Sequence, residues 1–564
     1  MTRPPSHPAD RVARYIEQGW WTGETVDDLL RAQVAARPGA PAVVDPLNKA
    51  DLMGGEVKRL SWAELDREVD RVAGVLLEQG VGQGDLVAIQ LPNSVEIAAT
   101  FLAVVRIGAV AVPFPVQYRE YELTQLGALT PIKAFVTAVR IADRAGAEFV
   151  RDLRPRLPAL ETVLAWGVVD KAPDDVVDLG LVAPDPEVLT RHLAATERDP
   201  ADLVTVCWTS GTEATPKGVP RCHHDWLAVE SICTAAPGLT EADVVLNPFP
   251  MVNMAGIGGV FLPWLRSGCV LVQHQPFDLT VYLTQIARER VTYTLAPPPL
   301  LMLLLHREEI LAKADISSLT RIGSGSAPLP VAMVRGWQER HGIAIINFFG
   351  SNEGVALLSD PVHMPDPADR ARYFPRPDAG KGDWPGSLAA MRVKLVDPAT
   401  GERIVEPGIP GELHIDGPTV FAGYYPGTAA ADPFDDEGYL VTGDIFEIAG
   451  ADGRYLRFVD RAGDLIIRGG VNIAPAELEA LISGHPAVAE TACVGYPDEV
   501  LGERVCAFVV AKPDTQLNAE IVVGFLRERG IASYKLPERV EVVAALPRNA
   551  VGKILKRDLR DSLT

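Results

Sequence analysis

The sequence predicts an α/β protein: a large N-terminal domain of mainly parallel sheets covered by helices, with a small β module, and then a small α+β C-terminal domain. Three observations lead there. Short apolar runs of strand length alternate with longer runs of helical period from residue 61 to about Phe349, the pattern of a parallel sheet covered on both faces. Beyond residue 392 strand-like runs follow one another without helices between them, as in antiparallel sheets. Near Asp460 the pattern changes again, to a compact succession of strands and helices. At 564 residues the chain is also long for one domain, and the division is placed at 1–462 and 463–564.

Taken in order, residues 17–23 (EQGWWTG) carry Trp20 and Trp21, which read as a packing anchor for the N-terminal segment. Ser61 opens a capping box with Glu64, and Leu65, Val69, Val72 and Leu76 share one face of the following helix. Residues 86–91 form a short apolar strand, 94–107 a helix, and 109–113 and 133–137 further strands. Residues 361–385, rich in proline, aspartate and arginine and without periodicity, read as a long surface connection. Residues 392–396 and 412–415 are strands of the β module. The C-terminal part opens with a strand at 465–467 and a helix from Pro475, with Leu478, Leu481 and Ile482 on one face and Gly484 as its stop. A strand at 505–511, a helix at 519–528 before Gly530 and a strand at 539–543 complete it.

A net charge of −21 argues against a nucleic-acid partner, while leaving room for a local positive pocket that holds a small anion. The six cysteines are dispersed without a CxxC pair, which fits free thiols in a reducing compartment rather than disulfides or zinc. The N-terminus lacks the apolar core of a signal peptide. The most apolar run, 97–116, is interrupted by Arg106, Pro113 and Pro115, so it reads as helix then strand and not as a membrane span. A cytoplasmic protein is expected.

The candidate chemistry centres on residues 209–219, TSGTEATPKGV. Thr209, Ser210 and Thr212 surround Gly211, and Lys217 with Gly218 follows Pro216. Such a loop turns hydroxyls and backbone N–H groups toward phosphate oxygens, with an ammonium beside them. It is no Walker loop, because the second glycine follows the lysine. Five more stretches stand out: GSGSAPL (323–329), which reads as a small-residue turn where a flat ring lies against backbone, NFFGSNEG (347–354), YLVTGD (439–444), DRAGDLIIRGGVNIAPAELE (460–479) and PRNAVGK (547–553). Read singly, Asp444 is a turn former, Glu353 a helix-end charge and Lys553 a solvated lysine. His223, His224 and Asp225 suggest a metal only superficially, since no further ligand is spaced for one; packing and hydrogen bonding are expected of the histidines.

In this order and spacing the six stretches resemble the adenylate-forming superfamily of acyl- and aryl-CoA synthetases, peptide-synthetase adenylation domains and luciferases, over residues 25–560. The resemblance implies that ATP and a carboxylic acid bind the large domain and that the small C-terminal domain is a mobile lid. The carboxylate attacks the α-phosphorus, giving an acyl-adenylate and pyrophosphate, and a thiol of CoA or of a carrier phosphopantetheine then displaces AMP. It implies that Thr209, Ser210, Gly211, Thr212 and Lys217 hold the β- and γ-phosphates and that Glu353 helps bind Mg²⁺. Gly325, Ser326, Ala327 and Phe349 frame adenine, Asn347, Gly350 and Asn352 also line the nucleotide site, Asp444 and Arg461 fix the ribose, and Lys553 is the catalytic lysine. A homodimer is left open.

Departures bear on substrate. In NPFPMVNMAG (247–256), positions that in relatives hold an aromatic residue and a histidine beside the acyl pocket are Val252 and Asn253, with Gly256 following. An amide donates and accepts but does not titrate near neutrality. The phosphate-facing threonine is Asn352, and the hinge residue is Gly463, where glycine widens the accessible backbone angles. Gly469 and Gly470 stand where a pantetheine arm passes. The N-terminal part, with ARYIEQGWWTGETVDDLL (13–30) and PVQYREYEL (115–123), is similar to aryl-acid activating enzymes and cyclic-carboxylate CoA ligases and less similar to long-chain fatty-acid synthetases. Three readings stay open beside CoA ligation: transfer to a carrier protein, adenylation of another oxyanion such as nitrite, and an adenylate-binding sensor.

Overall fold

The computed structural model describes residues 5–167, 171–209, 216–380, 382–428, 431–468, 471–498, 501–529, 531, 533–549 and 554–563. The chain forms two compact units, one of Met1–Ala371, Gly382–Arg392 and Asp416–Gly438, the other of Arg372–Lys381, Val393–Ile415 and Tyr439–Thr564.

The first unit holds two large sheets. In one, eight strands run in the order Ala356–Ser359, Ala344–Gly350, Arg321–Gly325, Tyr293–Leu295, Val244–Asn247, Val270–Gln273, Pro41–Val44, Arg59–Ser61. All its pairs are parallel except those of the two edge strands. The other has seven strands and is parallel but for one edge hairpin, Leu203–Thr209 with Lys217–Cys222. The helices between them form where the pattern placed them. Trp62–Glu78 starts at the Ser61–Glu64 capping box, and Val95–Arg106 is buried along its whole length. Its terminal Arg106 is paired with Asp27, Asp66 and Asp70, which compensates a charge that is 1% exposed. Among the described residues no helix is long and apolar enough to cross a membrane.

Trp21 anchors the N-terminal segment: its indole N–H donates to the Pro418 carbonyl (3.0 Å) and its ring stacks on His224. All six cysteines are free and buried. One reading is overturned. Residues 361–385 are not a surface connection: they contain the helix Pro367–Arg372 and the sheet strand Tyr373–Pro375. Arg370 is fully buried, giving hydrogen bonds to the carbonyls of Ile345 (2.6 Å) and Met364 (2.8 Å), so irregular backbone folds around one satisfied guanidinium.

The second unit holds a six-stranded sheet whose observed pairs are antiparallel, including Leu440–Ala449 with Tyr455–Arg461. It also holds the α+β segment, with helices Pro475–Ser483 and Ala519–Glu528 packed on a five-stranded sheet. Leu478 and Ile482 are buried as their spacing requires. Gly484 ends the first helix with right-handed backbone angles.

Candidate active site

The loop read as the phosphate holder springs from the antiparallel edge of the seven-stranded sheet. Thr209 and Lys217 are cross-strand partners at its base, and the Thr209 hydroxyl donates to the Lys217 carbonyl (3.4 Å). Ser210, Gly211 and Thr212 lie outside the described residues. Next to Lys217, the Gly218 N–H donates to Thr428 Oγ1 (3.1 Å) and its carbonyl accepts from the Tyr425 N–H (2.8 Å). A Cβ on Gly218 would lie 2.9 Å from that of Tyr425, so glycine permits this approach.

The clamp delivers Tyr424. Its hydroxyl donates to Glu353 Oε1 (2.9 Å), while Lys217 Nζ lies 5.4 Å from its ring centre. The lysine and the carboxylate, far apart in sequence, thus share one aromatic residue. The Glu353 carbonyl accepts from the Phe421 N–H (3.0 Å). Gly354 follows at φ +109°, where a Cβ would lie 2.0 Å from the Thr419 oxygen. Behind this turn, buried Arg221 donates to the carbonyls of Asn352 (2.8 Å), Thr419 (2.7 Å) and Asp225 (3.1 Å). Burial draws its pKa below the usual arginine value, an effect opposed by the Asp225 carboxylate. Sequence reasoning missed both Tyr424 and Arg221; Gly423 at φ +132° before Tyr424 was the one local signal.

Gly323 and Gly325 are not in a turn: Gly323 is the middle and Gly325 the last residue of the strand Arg321–Gly325, and the backbone angle changes at Ser326, which has φ +66°. A Cβ on Gly325 would lie 2.2 Å from the Phe348 carbonyl oxygen. Ser326 and Ala327 are exposed. On the neighbouring strand, Asn347 is buried and its Nδ2 donates to the carbonyls of Arg370 (3.1 Å) and Ala371 (3.2 Å), with Phe349 and Gly350 beyond it.

Asn253 caps the short helix Met254–Gly256: its Oδ1 accepts from the N–H groups of Ala255 (3.1 Å) and Gly256 (3.3 Å). Asn352 Oδ1 accepts from the Met254 N–H (2.8 Å). Both amides therefore spend their acceptor oxygens on ordering this segment. Val252 is buried, and a Cβ on Gly256 would lie 2.1 Å from the Pro250 oxygen.

In the second unit Asp444 and Arg461 are cross-strand partners, Nε to Oδ1 3.0 Å, and Asp444 is buried. The Asp444 N–H donates to Thr442 Oγ1 (3.1 Å), whose hydroxyl donates to the Leu413 carbonyl (2.7 Å). Gly463 accepts at its carbonyl from Arg560 (3.1 Å), which also pairs with Asp464. Among the described residues no atom lies within 4 Å of a Cβ built on Gly463. Lys553, Gly469 and Gly470 lie outside the described residues. On either side of Lys553, Arg548 and Ile554 form an antiparallel bridge.

The histidines act structurally. His223 Nδ1 accepts from the Val26 N–H (3.0 Å), and burial, reinforced by His224, lowers its pKa to about 4. Asp225 bonds His7 Nε2 (2.7 Å) and the Cys222 N–H (3.1 Å). His7, Cys222 and Asp225 so converge within 4.8 Å, a proximity the sequence spacing did not reveal.

Two large, mainly parallel sheets carry this candidate site, in which Lys217 and Glu353 both touch Tyr424. The chain belongs to the adenylate-forming superfamily: the model of the AMP-binding enzyme family matches residues 30–425, and that of its C-terminal domain residues 477–553. It is 32% identical to the medium-chain fatty-acid–CoA ligase of Escherichia coli, over 98% of this chain and 93% of that protein. It is 31% identical to the pyochelin synthase PchD of Pseudomonas aeruginosa, over 99% and 96%. Among solved structures, ATP-bound MatB from Rhodopseudomonas palustris matches with a TM-score of 0.75 and 26% identity, covering 96% of this chain and 99% of that one. Enzymes of this family use ATP and usually Mg²⁺.

Proposed function

We propose that the protein activates an aryl, cyclic or medium-chain carboxylic acid with ATP, releases pyrophosphate, and passes the acyl group to the thiol of CoA. The observation that carries this reading is Tyr424, which holds Glu353 by a hydrogen bond and presents its ring to Lys217. A phosphate-binding ammonium and a metal-binding carboxylate belong side by side in a site that cleaves a phosphoanhydride. An all-oxygen donor set, Glu353 with loop hydroxyls, suits Mg²⁺. When bound, that ion supplies neutralisation of the charge on the phosphate oxygens.

In this reading Thr209, Ser210, Gly211, Thr212 and Lys217 hold the departing pyrophosphate. Gly325, Ser326, Ala327 and Phe349 frame adenine, Asn347 and Gly350 line the nucleotide site beside them, and Asp444 with Arg461 holds the ribose. Asn253 and Asn352, their oxygens already occupied, offer N–H donors to the acid's carboxylate and to phosphate. Lys553, on a lid of residues 463–564, bridges carboxylate and α-phosphate, and Gly469 and Gly470 line the thiol's approach. The name of the Escherichia coli relative supports CoA as acceptor, whereas a 2,3-dihydroxybenzoate-AMP ligase of Bacillus subtilis, 29% identical over 99% of this chain, is named for the adenylate alone. Six unpaired thiols support a reducing compartment.

The test is pyrophosphate release from ATP and Mg²⁺ with aryl, cyclic and medium-chain acids and with nitrite, with and without CoA. Acid-dependent release with a CoA thioester is expected. Release without thioester transfers the acceptor role to a carrier protein, and release with nitrite alone replaces the acid. Lys553→Ala should lower the rate at least about a hundredfold with ATP binding retained; near-normal release would remove the lysine from the chemistry.

A further inference from the structure

Tyr293 begins the strand Tyr293–Leu295 in the middle of the eight-stranded sheet. It is 0% exposed, and its hydroxyl has no hydrogen-bond partner among the described residues. Buried tyrosines normally pair that group, so an orphan one calls for a reason. Its position supplies one. A Cβ built on Gly323, in the adjacent parallel strand, would lie 2.8 Å from Tyr293 Oη, 2.3 Å from Leu295 Cδ2 and 2.7 Å from the Phe348 ring. The phenol therefore runs toward the carboxyl ends of the strands, the side on which parallel sheets take their ligands. The Gly323 Cβ position that it approaches is also faced by Leu295 and the Phe348 ring. Gly323 is not in the left-handed region, so its missing side chain serves room rather than backbone geometry. Gly259 faces the same leucine, its Cβ position 3.6 Å from Leu295 Cδ1, so another small wall lies beside Leu295.

We propose that Tyr293 determines specificity: its hydroxyl pairs with a hydroxyl or amino substituent on the acid, at the end away from the carboxylate. A plain hydrocarbon acid leaves the phenol unpaired and binds without that selection, whereas a substituted one completes it. The inference rests on the proposed acid activation.

The test compares Tyr293→Phe with the unsubstituted protein, using benzoate and its 2-, 3- and 4-hydroxy and amino forms, cyclohexanecarboxylate and octanoate. The readout is kcat/KM for pyrophosphate release, with the unfolding midpoint alongside. The parent protein should prefer one substituted benzoate over benzoate by at least about tenfold. Tyr293→Phe should lose that preference, leave benzoate within about twofold, and keep or raise the midpoint, because an unpaired hydroxyl has been removed. A change shared equally by all acids, or none, assigns the tyrosine to packing or to an ordered water and overturns the proposal. Release with no acid at all overturns the acid-activation reading itself, and this inference with it.

Discussion

Tyr424 shows what a single residue does for the candidate site. A carboxylate free to rotate would sample positions away from Lys217, and the 2.9 Å hydrogen bond from the Tyr424 hydroxyl narrows that range. Tyr424→Phe keeps the ring under Lys217 and removes only this bond. The expected result is a kcat about tenfold lower, with ATP affinity within about threefold and stability within ~1 kcal/mol. Steady-state kinetics with a calorimetric ATP titration would check it, and an unchanged kcat would take Tyr424 out of the positioning role. Lys217 and Glu353 stand in local motifs, so the sequence alone singles them out as candidates. Tyr424 and Arg221 are not singled out, because their partners lie in segments that only the fold brings together.

At the scale of elements, caps and periodicity sufficed wherever burial follows the pattern: Ser61 and Glu64 start a helix, and Leu478 and Ile482 face a core. They failed at Arg370, since charged residues read as surface and a guanidinium buried against carbonyls leaves no periodic trace. They failed again at 323–325, where a strand carries two glycines because Phe348 lies against both. The helix His223–Ala235 carries a pH consequence. His223 accepts the Val26 N–H and so ties this helix to the start of Val26–Ala36. Desolvation, then His224 and Arg198, hold its ring neutral down to about pH 4, with Asp28 and Asp27 opposing, whereas the unfolded chain protonates near the ordinary value of 6.5. The unfolded state binds the proton first. This contribution is thus complete above pH 6.5 and is lost as pH falls toward 4, by roughly 3 kcal/mol. Unfolding midpoints across that window should fall less steeply in His223→Asn than in the parent; equal slopes would assign the acid lability to other groups.

For the whole molecule, the proposed reaction asks residues 463–564 to adopt two poses. Gly463 is the residue expected to turn, and in the structure it has neither left-handed angles nor a crowded Cβ position. Its use would lie in the other pose. Proline fixes φ near about −65° and blocks the excursion. Gly463→Pro should therefore lower thioester formation at least about tenfold while one half-reaction, measured alone in a single turnover, stays within about threefold. Equal losses in both would mark damage to the fold, and no loss would remove the hinge from this position. The buried thiols provide a means of watching such motions without touching the site. Cys207, Cys222, Cys233 and Cys269 belong to the first unit, Cys493 and Cys506 to the second. A thiol-reactive reagent reaches each only when its surroundings open, so peptide-resolved alkylation over time gives six internal clocks, four in one unit and two in the other. Their relative rates would tell a breathing C-terminal unit from a melting chain, and because all six are buried, an introduced surface cysteine would be the first to take a dye.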